Sequence, residues 1–559
     1  MQSFTARMLL GGAALPLLVA CGGGGSSPAP APPPTVVAPP PAPTQNTWVQ
    51  GRFDPASQFK NLCEFPRSGS DAVGRDFLDE SGTLSDELFW LRSWSDETYL
   101  WYDEITDQNP NNFSSTLSYF DELRTTRTTA SGNPVDQFHF TVDSAEYLQL
   151  QTTGSSAGYG VEFVLIDTLP PRDIRVAYTE AGGPGDAAGF VRGSRLLRIN
   201  GVDVVNGSDV NTLNAGLFPD GAGETFTFEV EQPDGTRETF TVQSAIVSEN
   251  PVNDVAVLEQ DGRTYGYVHF TTFSPATAEE ALFDAFDQLE AANIDDLVLD
   301  LRYNGGGRLA IASQLAYMVA GPGPTSGRWF ETLEFNDKAG GTNPVTGQPI
   351  NPTPFYTEGL GLTVPPSRQA PTVSKPRVFV LTTDSTCSAS EAVMNGLRGV
   401  DVEVIQIGGT TCGKPYGFYP TDNCGTTYFT IQFRGVNYKG FGDYADGFAP
   451  NQSPDGIETV IPGCSVADDF NTALGDPSEA LLSTAITYAA SGSCDGRAAT
   501  ASRYAAIPST ADPSSTAAQG SGTPVQSAST FFLADDAMDL MSDPRVRDRV
   551  MIESIRILD

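Results

Sequence analysis

Two residues in this chain combine the type and the setting needed for acyl-transfer chemistry: Ser388 and Lys414. Ser388 follows an apolar run, Val378–Leu381 (VFVL), and precedes a helix predicted from about Ser390 to Arg398. The run reads as a buried strand. In a strand-to-helix turn the strand fixes the backbone, and the helix N-terminus favours developing negative charge. A second apolar run, Val402–Ile407, predicts the next strand and leads into Gly413-Lys414. Adjacent parallel strands would bring the Lys414 amine beside Ser388. A serine hydroxyl is a weak nucleophile until a base takes its proton. A lysine is that base only when burial lowers its pKa toward neutrality. A plainer reading stands beside this one. Ser388-x-x-Glu391 is also a capping-box pattern, and a serine there need do no more than cap a helix.

Residues 249–495 supply the elements that would position the pair. Thr264–Phe270 predicts a strand, and Ser274-Pro275 opens a helix with Thr277-x-x-Glu280 as its capping box. Leu282, Phe286 and Leu289 fall on one face of that helix. Asp296–Leu301 (DLVLDL) predicts a buried strand, broken by Asn304-Gly305-Gly306-Gly307, and a helix follows from about Leu309 to Val319. Successive units of this kind imply an α/β domain with a mostly parallel, covered sheet. Residues 419–461 read as an irregular β-rich extension, and Pro477–Ala490 as a closing helix.

The preceding regions differ. Residues 48–150 read as a small helical domain, with Asp86–Tyr102 (DELFWLRSWSDETYLWY) as an aromatic core and Ser114–Leu123 helical. Packing accounts for these aromatics better than a substrate-binding stripe does. In residues 151–248 short β-type runs alternate with Gly and Asp turns, and Pro233-Asp234-Gly235 marks a hairpin.

Two motifs of this β-rich region resemble a PDZ domain. Gly158-Tyr159-Gly160-Val161-Glu162-Phe163 looks like its carboxylate-binding loop; Gly185–Phe190 and Gly193–Gly201 look like its helix and following strand-turn. Backbone N–H groups of such a loop hold a peptide C-terminal carboxylate, and an exposed strand edge pairs with the peptide. The resemblance marks Gly158, Tyr159, Gly160 and Val161 as peptide-binding.

Over residues 151–495 the chain resembles the C-terminal processing proteases, S41-type serine peptidases with a PDZ domain and a Ser-Lys pair. The motifs are Leu297–Gly307 (LVLDLRYNGGG), Ser388-Ala389-Ser390-Glu391 and Gly413-Lys414, in the family's order. The resemblance implies a crotonase-like ββα core behind a PDZ-like and an N-terminal helical domain. It casts Ser388 as nucleophile and Lys414 as base. Ala389 and a glycine of the 305–307 run, Gly307 first and Gly306 second, become the oxyanion donors. The triple glycine has another explanation, a tight turn needing positive φ. No metal or organic cofactor is implied. One departure matters: the family places a Gln four residues after the lysine, where this chain has Phe418. Gln432 and Tyr416 are the candidates to orient Lys414 in its place. A rival reading follows from that departure: a lipoprotein of the same fold that binds peptides or small apolar ligands without cleaving them.

Bulk properties bound the rest. With 559 residues the chain predicts several domains. A net charge of −37 argues against nucleic acid as a partner and fits an exported, soluble surface. Only two histidines occur, His139 and His269, and both read as structural. Arg7 and the apolar Met8–Ala20 read as a secretory signal over residues 1–20. Leu18-Val19-Ala20-Cys21 resembles a bacterial lipobox, with Cys21 lipidated and residues 21–47 a Gly/Ser/Pro tether. Gly22 rather than Asp after the cysteine implies the outer membrane, facing the periplasm. Six further cysteines, Cys63, Cys387, Cys412, Cys424, Cys464 and Cys494, suggest disulfides, with Cys387 and Cys412 proposed as a pair flanking the site. Residues 496–559 read as a low-complexity tail, 529–559 forming a short helical segment. Polypeptides recognised through their C-termini are the expected partners.

Overall fold

The computed structural model describes residues 46–451, 459–494 and 556–557, all within one compact unit, Gln45–Asp559. The expected signal, the Cys21 anchor, nearly all of the tether and nearly all of the 496–559 tail lie outside the described residues. At Arg556–Ile557 the expected helix is replaced by a strand. Its backbone pairs with Gly307–Arg308.

Helix α1 (Leu84–Thr98) carries the aromatic run. Thr83 caps it: its Oγ1 accepts from the Asp86 N–H, and the Asp86 carboxylate accepts the Thr83 N–H. Trp90 and Trp94 stack at 5.1 Å and pack on Tyr428, far along the chain. The aromatics are therefore core. The helix expected over Ser114–Leu123 shrinks to Thr116–Phe120, because Ser115 caps it late and Phe120 and Leu123 turn inward. Strand β1 (Phe140–Asp143) and helix α2 (Ser144–Thr153) follow.

A β module comes next. Strand β2 (Ser155–Gly158) and the later β8 (Ala245–Ser248) pair antiparallel and close its neck. Between them lie β3 (Val161–Asp167), β4 (Asp173–Thr179), β5 (Arg195–Ile199), helix α3 (Val210–Leu217), β6 (Thr225–Glu231) and β7 (Arg237–Gln243). The strands run in the antiparallel order β7-β6-β5-β4-β3, which leaves β3 at an edge among the described residues.

The α/β part starts with β9 (Val252–Gln260) and β10 (Arg263–Phe270). Helix α4 (Thr277–Ala292) begins one residue earlier than its predicted cap allows. Ala276 is already helical, so Thr277 is inside the helix, and the Glu280 N–H is capped by Thr363 Oγ1 instead. Then come β11 (Asp296–Asp300), β12 (Gly307–Arg308), α5 (Leu309–Ala320) and β13 (Trp329–Phe335). The next unit is β14 (Arg377–Thr382), α6 (Ala389–Gly399) and β15 (Glu403–Gly408). Last come β16 (Tyr416–Gly417), β17 (Thr426–Phe429), β18 (Phe433–Asn437), β19 (Gly463–Ser465), α7 (Ala480–Ser491) and β20 (Arg556–Ile557). The central sheet has the order β9-β10-β11-β14-β15-β19 and is parallel from β10 onward. Its middle strands are buried on both faces, as the uninterrupted VFVL and DLVLDL runs require. β17 pairs with β1, and the Cys63–Cys424 disulfide fixes the same region, so the N-terminal helices are built onto the α/β part.

Module and α/β core meet at a buried ion cluster. Asp468 is 2.6 Å from Arg192 of the module and 2.8 Å from Arg302 of the core, and accepts the Tyr303 hydroxyl. Burial alone would raise the Asp468 carboxyl; the two guanidiniums outweigh it and hold the group at about 2. Because the folded value lies below the ordinary 3.8, the contribution is present above about pH 4 and lost as pH falls through 2. It amounts to about 2 kcal/mol. Urea unfolding midpoints should therefore fall across that window in the parent. In Asp468→Asn they should be lower at pH 7 and flatter below pH 4.

Candidate active site

The residues around Ser388 follow from three loops at the C-terminal ends of β11, β14 and β15. Ser388 is fully buried and has φ 58° and ψ −110°, a backbone state that a non-glycine residue holds only under constraint. The constraint is visible. The Cys387 N–H and Ser390 Oγ both donate to the Asn304 carbonyl, at 3.0 Å each, and Thr386 Oγ1 donates to the Leu301 carbonyl. The turn has capping-box geometry, with the Ser388 N–H donating to Glu391 Oε2 at 3.0 Å. Ser388 Oγ nonetheless has no hydrogen-bond partner among the described residues. Capping and nucleophile readings of Ser388-x-x-Glu391 are thus compatible: the carboxylate caps while the hydroxyl stays unengaged.

Gly306 and Gly307 run past this turn with φ 119° and 133°. A Cβ on Gly306 would lie 2.8 Å from Ser388 Cβ and 3.0 Å from the Ala389 nitrogen, so only glycine permits the approach. The Gly306 N–H, however, donates to Asn304 Oδ1 at 2.9 Å. This corrects the expectation of Gly306 as an oxyanion donor: its N–H is consumed in holding the loop. Phe273 takes the neighbouring groups, donating to the Gly306 carbonyl and accepting from the Arg308 N–H. Strand alternation then turns the Gly307 N–H the other way, to the edge of β12 opposite Phe273. Ala389 is the first residue of α6, where N–H groups have no intrahelical acceptor.

Lys414 is brought to Ser388 by one carboxylate. Glu391 Oε2 accepts the N–H of Lys414 at 2.8 Å as well as that of Ser388, and Oε1 accepts the Gly413 N–H at 2.9 Å and the Thr411 hydroxyl at 2.5 Å. Burial raises the Glu391 carboxyl above its ordinary range, against these four donors. Disulfide Cys387–Cys412, with Cα atoms 5.2 Å apart, ties the same two loops. Its sulfurs are bonded to each other, so the nearby Cys387, Glu391 and Cys412 offer a metal no thiolate. The remaining cysteines pair as Cys63–Cys424 and Cys464–Cys494.

The Lys414 side chain is fully buried, its amine 4.5 Å from the Phe138 ring centroid and 4.4 Å from that of Phe418. Phe418 thus flanks the amine with a ring face where an amide was expected. Of the two candidate orienters, Gln432 turns its Oε1 to the Tyr419 N–H, and Tyr416 packs edge-on against Trp101. Phe138 was not legible as a site residue; it comes from the helical region, which joins the core through the β1–β17 pairing, the Cys63–Cys424 disulfide and the packing of Trp101 on Tyr416.

The histidines lie apart from Ser388. His139 stacks on Phe120 at 3.7 Å and bonds the Phe120 carbonyl and Thr430. His269, held neutral by burial with a pKa of about 4, sits edge-on to Tyr178 and Tyr303.

A cavity of about 510 Å³ connects module and core. Gly158, Tyr159, Gly160 and Val161 line it together with Leu217 and Phe218 at the end of α3, and Gly305 lines its core side. The open edge of β3 therefore borders a space that reaches the loop carrying Gly306 and Gly307.

A buried serine on a strained strand-to-helix turn, a buried lysine on the next loop and glycine backbone beside both make up a serine-peptidase type of site. Residues 264–418, which include Ser388 and Lys414, match the model of peptidase family S41, the family whose motifs the sequence resembles. The chain is 27% identical over 280 residues to the carboxyl-terminal-processing protease of Picosynechococcus sp., covering 48% of this chain and 56% of the relative. It is 31% identical over 187 residues to the chloroplastic C-terminal processing peptidase of Tetradesmus obliquus, covering 32% and 39%. The chain thus spans about half or less of the relatives' lengths. A solved S41 protease from Bacteroides fragilis has the same fold, with a TM-score of 0.55 at 21% identity, over 72% of this chain and 97% of that one.

Proposed function

We propose that this protein is a cell-envelope serine endopeptidase, lipid-anchored at Cys21, that cleaves unfolded or C-terminally tagged polypeptides. The observation that carries the reading is the Glu391 carboxylate, which accepts the N–H groups of both Ser388 and Lys414 and so holds nucleophile and base in one frame. Ser388 Oγ attacks the scissile carbonyl and passes its proton to the neutral Lys414 amine. The Gly307 and Ala389 N–H groups hold the oxyanion. Lys414 returns the proton to the leaving amine, and water, activated by the same amine, releases the acyl group from Ser388. The β module acts as a PDZ-like domain: the Gly158–Val161 loop takes the substrate's C-terminal carboxylate, and the β3 edge pairs with its last residues. The cavity shared with Gly305 favours this role.

The test uses an unfolded polypeptide ending in apolar residues, with a free or an amidated C-terminus. The reading predicts cleavage by the parent, several-fold faster for the free carboxylate, and none by Ser388→Ala. Equal cleavage by Ser388→Ala sinks it. One observation favours the rival reading of a non-cleaving binding protein: the rings of Phe138 and Phe418 flank the Lys414 amine, at 4.5 and 4.4 Å. A folded parent that binds such peptides and cleaves none would establish that reading.

A further inference from the structure

The edge of β12 that carries the Gly307 N–H is occupied by this chain itself. β20, Arg556–Ile557, pairs with β12 in parallel, in the register Gly307↔Arg556 and Arg308↔Ile557. It also lies beside β16, Tyr416–Gly417, just after Lys414-Pro415. Phe273 bridges the opposite edge of Gly307. β20 therefore takes the edge that faces the catalytic cleft, which is where an extended polypeptide would add as a strand.

We propose that β20, Arg556–Ile557, is an internal ligand of the cleft, competing in cis with external polypeptides. The proposal rests on the reading of Ser388 and Lys414 as a peptidase site and adds its regulation. The sequence suits the task. Val546, Val550, Ile552, Ile555 and Ile557 are β-branched and favour a strand. In a parallel pair that spends the Gly306 carbonyl and Arg308 N–H on Phe273, the Gly307 carbonyl is left to accept from the Ile557 N–H. Ile557→Pro removes that donor and breaks the pairing without touching the site.

The test measures binding of a fluorescent synthetic peptide of residues 545–559 to the full chain. Every sample carries Ser388→Ala, so nothing is cleaved. The peptide is expected to bind the Ile557→Pro chain at least tenfold more tightly than the chain with Ile557, and a chain ending at residue 544 should match Ile557→Pro. Equal affinity for all, or binding to none, overturns the proposal. The difference should survive hundredfold dilution of the protein; its loss on dilution would assign the segment to a second copy and overturn the cis assignment. With Ser388 intact, Ile557→Pro should cleave an external unfolded polypeptide several-fold faster than the parent, and equal non-zero rates count against the proposal. If neither cleaves while the peptide-binding difference persists, the cleft ligand stands and the peptidase reading falls.

Discussion

Lys414→Met is expected to lower turnover of an unfolded polypeptide by a factor on the order of 10⁴ to 10⁶ while leaving the fold in place. Methionine keeps the length and apolar stem of the lysine, and its thioether is at home between the Phe138 and Phe418 rings that flank the amine. Stability should change by about 1 kcal/mol or less. What is lost is the amine that, in the proposed mechanism, takes the Ser388 proton. The loss should hold at every pH at which the parent cleaves. Cleavage rates across pH and a denaturation curve for each protein check both parts. A variant that unfolds readily would mean the lysine serves packing rather than chemistry.

Glu391→Ala is expected to cost about 3–5 kcal/mol and to abolish cleavage. Its carboxylate is fully buried and accepts from the N–H groups of Ser388, Gly413 and Lys414 and from the Thr411 hydroxyl. Removing it leaves three buried amide donors without an acceptor and frees both loops from their common anchor. Glu391→Gln separates the two consequences. Its amide nitrogen can replace Oε1, because the Thr411 hydroxyl can turn and accept, although the Gly413 N–H then goes unpaired. The remaining oxygen keeps the Ser388 and Lys414 N–H groups. Glu391→Gln should therefore lose about 1–3 kcal/mol and retain measurable cleavage. Urea denaturation and initial rates on the two variants make the comparison, and equal stability of the two would contradict the count of orphaned donors.

These effects also show what was legible before the fold was known. The VFVL and DLVLDL runs read as buried strands because a parallel sheet covered on both faces has no polar side to betray it. That Ser388 and Lys414 lie on neighbouring loops was legible because each loop is short and follows such a run. The pairing of Cys387 with Cys412 followed from the same closeness. Three features were not legible. Asn304 looked like part of a turn, yet its side chain accepts the Gly306 N–H and so holds the glycine loop. Phe138 reaches Lys414 only because β1 pairs with β17 across nearly 300 residues, a contact that local periodicity does not encode. The Arg192–Asp468–Arg302 cluster joins three separate stretches of chain for the same reason. The start of α4 slipped because Thr277 and Glu280 matched a cap pattern that a neighbouring loop, through Thr363, satisfies instead.

The central claim is that Ser388 is a nucleophile activated by Lys414. It is tested most directly by exposing the full chain to a small fluorophosphonate and locating the adduct by mass spectrometry. The account predicts one phosphonylated residue, Ser388, in the parent, and no adduct over the same time in Lys414→Met. Modification of a different serine, or labelling of Ser388 at the parent's rate in Lys414→Met, would contradict it.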